Sequence, residues 1–223
     1  MITLYEHPLS PYAQKVKISA REKGIALELK TPEGIGAGTS RGEFTAANPR
    51  AENRFGSIIR WNEADGDQAS ERFSWDIFVL AGPEHDSRDA NGNPLTEDSI
   101  FAAPDGLAFD ADRRLWIQCD ISDGSLNAGV YTPFGNNQML AANPDTGEIR
   151  RFLTGPVGCE ITGVVTTPDR RTMFINVQHP GANGSEADFA AGRFSSNWPD
   201  GGNTMPRSAT VALRRIDGGV IGA

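Results

Sequence analysis

The chain has 223 residues, a formal net charge of −8 and a pI near 4.9. A protein that grips nucleic acid needs a basic footprint for the phosphates, so charge excludes that class of partner. No run of about 18 apolar residues occurs, which predicts no membrane span, and the first twenty residues alternate apolar with charged or polar ones instead of forming a secretory leader. The product as written is therefore expected to be cytoplasmic. Cys119 and Cys159 have no His or Cys nearby at zinc spacing, which leaves neither a disulfide framework nor a zinc site and predicts two small buried hydrophobes.

Charge is unevenly spread along the chain. Residues 1–50 hold all four lysines and 7 basic against 5 acidic residues, whereas residues 51–223 have no lysine, 14 arginines, 24 acidic residues and all four tryptophans. A break of this kind near residue 50 marks a domain boundary, here without a linker.

In chain order, Ile2 to Tyr5 is a short β-prone run. PYAQKVKISAREKG then predicts a helix with Ala13, Val16, Ile18 and Ala20 as its apolar positions, Ser10 as N-cap, Pro11 in the first turn and Gly24 at its end. A second strand is predicted over Ile25 to Lys30, making a β-α-β unit, with one more helical turn around Glu43 to Ala47 before Pro49. The string LYEHPLSPYAQKVKISAREKGI, followed by TPEGIG and EFTAANPR, resembles the opening of bacterial glutathione S-transferases. The resemblance implies an incomplete thioredoxin-like unit over residues 1–47, in which Ser10 would stabilise the glutathione thiolate at the helix N-terminus, with Tyr12 behind it. An ordinary N-cap is the other reading of Ser10. Beyond residue 50 that family's pattern stops. No proline follows in the V-P position, and no 3.6-residue periodicity continues long enough for a helical domain.

From Ser57 onward, short strands alternate with Asp-Gly, Asn-Pro and Pro-Asp turns, which predicts a mainly β sandwich or propeller. Gly106, Asp112, Arg113 and Arg114 recur as Gly163, Asp169, Arg170 and Arg171, each set leading into an apolar strand. IIRWNEADGD, MLAANPDTGE and ALRRIDGGVI each place a strand before a tight acidic-Gly turn, and the last two are expected to return through another strand. Interleaved, these units predict a partial β-propeller of about two to three blades. APDGLAFDADRRLWIQCD, FGNNQMLAANPDTGEIRRFLTGPVGCEITG, MFINVQHPG and SNWPDG, in that order, resemble the C-terminal part of PhoX-type alkaline phosphatases over residues 48–223. That resemblance implies a β-propeller hydrolase of phosphate monoesters that uses calcium and iron in its channel and is exported. The export signal, the cysteine ligand of the iron and the earlier blades belong to parts of that family ahead of the matched stretch.

Ala47 to Arg50 fits both resemblances, so an apparent chimera joins there, by gene fusion or by assembly artefact. Artefact is the favoured account, since neither half closes its sheet.

Hard cations need clustered oxygen ligands at the ends of inner propeller strands. The resemblance makes Glu160 the foremost metal ligand and Asp105 the next, followed by Asp120 and Asn137 at strand ends. The bland readings are a Pro-Asp-Gly turn for Asp105 and a buried ion pair for Glu160. His179 is read as structural or as a phosphate or metal contact, and the arginine pairs 113/114, 150/151 and 170/171 as solvated turn features. GTSRG and GIGAG lack a P-loop lysine and a dinucleotide fingerprint. Two functions compete. One is a calcium- and iron-dependent phosphatase acting on a small phosphate ester, inactive in this truncated form; the alternative is a glutathione-binding protein using Ser10. Self-association is expected through open flanks carrying Trp61, Trp75, Phe78 and Trp116.

Overall fold

A computed structural model describes residues 2–6, 10–31 and 46–222, and its contacts divide the chain into Met1–Asn53 and Arg54–Ala223. In the first unit, β1 (Ile2–Tyr5) and β2 (Leu27–Lys30) pair in parallel, Ile2 opposite Leu27, with helix α1 (Pro11–Glu22) between them in sequence. Ser10 accepts the Ala13 N–H on its Oγ at 3.3 Å, an N-cap. The helix closes as a Schellman motif. Gly24 takes φ +65°, its N–H donates to Arg21 O at 3.1 Å, and Ile25 N–H donates to Ala20 O at 2.8 Å. That last bond is why the second strand starts at Leu27, two residues later than predicted. Of the four apolar helix positions only Ala13 and Ala20 are buried, while Val16 and Ile18 are exposed. Most of the helical turn predicted around Glu43 to Ala47 lies outside the described residues.

The second unit is mainly β, a partial propeller. Its described residues form nine strands: β3 (Ser57–Glu63), β4 (Phe73–Leu80), β5 (Pro104–Phe109), β6 (Leu115–Cys119), β7 (Gln138–Ala142), β8 (Ile149–Thr154), β9 (Glu160–Thr166), β10 (Met173–Gln178) and β11 (Ala209–Leu213). Every pairing among them is antiparallel, in a four-stranded meander β5-β6-β7-β8, a three-stranded sheet β9-β10-β11 and the pair β3-β4.

The meander is a partition between two cores. Along LWIQC of β6, Leu115, Ile117 and Cys119 join one buried cluster with Phe78, Val79 and Phe101, while Trp116 joins another with Cys159, Ile161, Met173 and Ile175. β7 divides in the same way, Leu140 and Ala142 to one side and Met139 to the other. Successive strand residues point to opposite faces, so a strand buried on both faces reads as a continuous apolar run. β10, covered on one face only, alternates buried and exposed.

The repeat has a structural cause. Arg113 and Arg170 both sit at hairpin tips with left-handed φ of +62° and +58°. Gly163, φ +60°, lies at a register shift opposite Asn176, where a Cβ would come within 2.7 Å of Asn176 Nδ2. Its carbonyl accepts the Gln118 Nε2–H at 3.0 Å, joining the two larger sheets.

Three expectations need correction. The chain returns after IIRWNEADGD, as β4, but after ALRRIDGGVI it forms no strand. Burial of Ile221 beside Trp116 and Met173 draws the chain inward instead, with Ile221 N–H donating to Arg170 O at 3.0 Å. Arg150 and Arg151 lie in β8, not at a turn; Arg151 bonds Gln138 Oε1 and the carbonyls of Glu97 and Ile100, fastening that connection to the sheet. Phe78 and Trp116 are buried, each on a face that meets a neighbouring sheet, whereas Trp61 and Trp75, opposite each other across β3 and β4, are 58% and 42% exposed.

Candidate functional site

The two ends of the sheets differ. At one end the strands turn tightly, over 110–114, 143–148 and 167–172; at the other run the long connections 81–103, 120–137 and 179–208. Long connections on a rigid sheet are where binding groups collect. All four predicted ligands stand at this second end.

Asp105 is the extra residue of a bulge in β5, because Pro104 pairs with Cys119 and Gly106 with Gln118. It therefore lies within the strand and is exposed, rather than ahead of it in a turn. Ala103, just before, holds a left-handed φ of +51°, and a non-Gly residue kept in that region marks a position its surroundings over-determine. Asp120 directly follows β6 at the same end, its N–H donating to Ala103 O at 2.9 Å. Glu160 opens β9 opposite Gln178, the last residue of β10, and is only 8% exposed. Gln178 Nε2–H donates to Glu160 Oε2 at 2.7 Å.

The electrostatics of the cluster are unfavourable to its own charges. Burial raises the Glu160 carboxyl above its ordinary value, the charges of Asp120 and Asp105 raise it further, and His179 and a Thr162 hydrogen bond oppose them. Asp120 is raised by partial desolvation, then by Asp105, with a smaller push from Asp123 and an opposing pull from His179. No arginine or lysine is among these influences.

Asn137 is buried at the root of this end, and its side chain is committed to the backbone. Oδ1 accepts from Ile121 N–H at 2.7 Å, and Nδ2 donates to Ile121 O and Cys159 O, each at 2.9 Å. It clamps the connection after β6 to the residue before Glu160. The expectation missed Asp123 and Gln178, and left His179 undecided. The sequence signal for Gln178 and His179 is the polar end of the FINVQH strand, whereas Asp123 carries none in its own segment.

The donors suit a hard cation, being carboxylate oxygens that repel one another, with no arginine or lysine among the charges that act on Glu160 and Asp120. They do not form a finished shell, for no group of three or more His, Cys, Asp or Glu among the described residues is close enough to hold a metal. Cys119 and Cys159 are fully buried, and burial pushes both thiols up to about 12. Clefts elsewhere are structural in character. One of about 710 Å³ at the tight-turn end is lined by Arg113, Arg114 and Arg150, each paired with an acid: Asp145, Asp110 and Glu148.

No described helix is long and apolar enough to cross a membrane. Among the curated proteins none matches the chain. The chain is similar to the solved structure of Pseudomonas fluorescens PhoX in complex with vanadate, a transition state analogue, at 44% identity and a TM-score of 0.67. That likeness covers 79% of this chain and 29% of the other, so the chain spans less than a third of the length of the protein it matches. Neither this neighbour nor the family match below is a glutathione transferase. The model of the family described as alkaline phosphatase PhoX matches residues 34–181, a stretch that begins inside the segment the sequence reading gave to the transferase-like part and contains Asp105, Asp120, Glu160 and His179. With more than half of its residues matched, the chain belongs to the alkaline phosphatase PhoX family.

Proposed function

We propose that this chain contributes one wall of a metal-assisted phosphomonoesterase centre, with Glu160, Asp105 and Asp120 as oxygen ligands and Asn137 as the clamp behind them. The observation that carries the reading is the gathering of three carboxylates at one end of two adjacent sheets, without an arginine or lysine among the charges acting on Glu160 and Asp120, in a member of a phosphatase family. A phosphate monoester is itself an anion, and bare carboxylates would repel it. Such a wall is useful in phosphate chemistry only with cations between it and the substrate, calcium by its donor set and iron by family likeness. When bound, the cations would supply the positive charge that draws in the phosphoryl oxygens. The chain's own residues have simpler tasks. Gln178 fixes the direction of Glu160 by donating to Oε2. The bulge at Asp105 turns that carboxylate toward the same end as Asp120, and the burial around Glu160 limits access of water to it.

A full ligand shell needs every donor in place. The described residues supply a share of one, so we further propose that the chain alone binds calcium weakly and does not turn over. Calorimetric titration with calcium is expected to show binding that Glu160→Gln and Asp105→Asn each weaken, and p-nitrophenyl phosphate with calcium and iron is expected to remain uncleaved. Steady hydrolysis by the chain alone would overturn the second part; absence of calcium binding would overturn the first. For the glutathione alternative, the described contact of Ser10 is its helix cap, Oγ accepting the Ala13 N–H.

A further inference from the structure

We propose that His179 is a positioning residue that couples the acid-bearing ends of the two larger sheets, holding Asp123 and Glu160 on either side of one imidazole. Its Nδ1 lies 3.6 Å from Asp123 Oδ1 and 3.3 Å from Gly158 O, and its Nε2 lies 3.7 Å from Glu160 Oε2. Asp123 belongs to the connection that leaves β6, and Glu160 opens β9. Each ring nitrogen therefore addresses an acid carried by a different sheet.

The backbone shows that this placement is imposed. His179 adopts φ +39°, and a non-Gly residue persists in that region only where its neighbours hold it there. The holding bonds are present. His179 N–H donates to Ser208 Oγ at 2.9 Å, and Gly181 N–H donates to Val157 O at 2.8 Å. Ser208 stands just before β11, at the far end of the excursion over 179–208, so both stems of that excursion fix the imidazole. Gln178 takes the other flank of Glu160. A side chain that only filled space would gain nothing from a strained backbone with a nitrogen against each of two carboxylates.

The consequence for metal rests on the reading under Proposed function; the coupling itself does not. Hydrogen exchange on the full chain tests it directly. In His179→Ala, amides of residues 120–126, which lie in the neighbouring sheet's connection, are expected to exchange about threefold faster or more, as loss of a modest polar contact allows. His179→Gln, which keeps a side-chain donor, is expected to restore them. Asp123→Ala approaches the same contact from a half-buried position in the other sheet's connection, and should quicken residues 159–161 without adding to the effect of His179→Ala in the double variant. Unchanged exchange at 120–126 in His179→Ala, or additive effects in the double variant, would overturn the proposal. Calcium titration then separates the two readings. Weaker binding in His179→Ala with recovery in His179→Gln supports the positioning role, and equal affinity in the wild type and His179→Ala overturns it. A wild type that binds no calcium refutes the metal reading alone, and the exchange experiment still decides the coupling.

Discussion

Carboxylates at the two ends of the second unit live under opposite conditions. At the tight turns they are held down: Asp169 by the Thr167 hydroxyl and then the Arg171 N–H, and Asp217, to about 2, by the Arg215 guanidinium and then the Gly219 N–H. At the end with long connections, Glu160 is held up by burial and then by Asp120 and Asp105, and Asp120 by burial and then by Asp105. The same side-chain chemistry closes a turn where several donors surround it and is disfavoured as a charge where burial and like charges outweigh them. A fold gains little from the second arrangement.

The largest disruption of this contrast should come from Trp116→Ala. Trp116 is 1% exposed between the sheets, and its Nε1–H donates to Asp110 Oδ2 at 3.1 Å at the turn end. Truncation empties the seam and strips Asp110 of a donor, and denaturant unfolding is expected to show a loss of about 3–5 kcal/mol. Next is Asn137→Ala, which leaves Ile121 N–H, Ile121 O and Cys159 O without their buried partner. The expected loss in the same measurement is about 2–3 kcal/mol, with the long-connection end loosened and the turn end unaffected.

Glu160→Gln sharpens the contrast rather than breaking it. A carboxyl whose folded value is raised binds its proton more tightly in the folded chain than in the unfolded one. The stability linked to it is fully present below the ordinary carboxylate range and is lost as pH rises through the folded value. Unfolding followed from pH 4 upward should therefore show a decline in the wild type that is smaller in Glu160→Gln, leaving the remainder to Asp120. The smallest effect belongs to Asp217→Asn. Its depressed value runs the other way, giving stability that is present above the ordinary range and lost only as pH falls toward about 2. Because the group is open to solvent, no change in melting temperature at pH 7 should be resolvable.

Much of this architecture was legible before any coordinates. LWIQ read as an apolar strand because its side chains are continuous in character, and the recurrence of Gly106 as Gly163 exposed the repeat because both glycines pack against a neighbouring strand's side chain. The ends of helix α1 were legible for a like reason, since Ser10 and Gly24 do work that few other residues do. The failures share one cause. Whether Trp116 or Trp61 faces water, and whether Arg151 sits at a turn or reaches across to Ile100, depends on which sheet lies opposite, and that is not local information. Asp123 and Gln178 escaped notice because each looks ordinary in its own segment, and only their meeting at one end gives them a role. The transferase-like reading of the first unit gains no support from the comparisons, and a capped helix between two parallel strands is common to many folds.

Cys119 lies in the core cluster on one side of the meander and Cys159 in the cluster on the other. With burial pushing both thiols up to about 12, neither can meet an alkylating reagent until its own cluster opens. The pair is thus a built-in stopwatch with two hands. If the meander parts from both neighbours in a single cooperative event, the two thiols will be labelled at one rate, and if the sheets peel away one at a time, mass spectrometry will catch chains modified at Cys159 and still silent at Cys119, or the reverse.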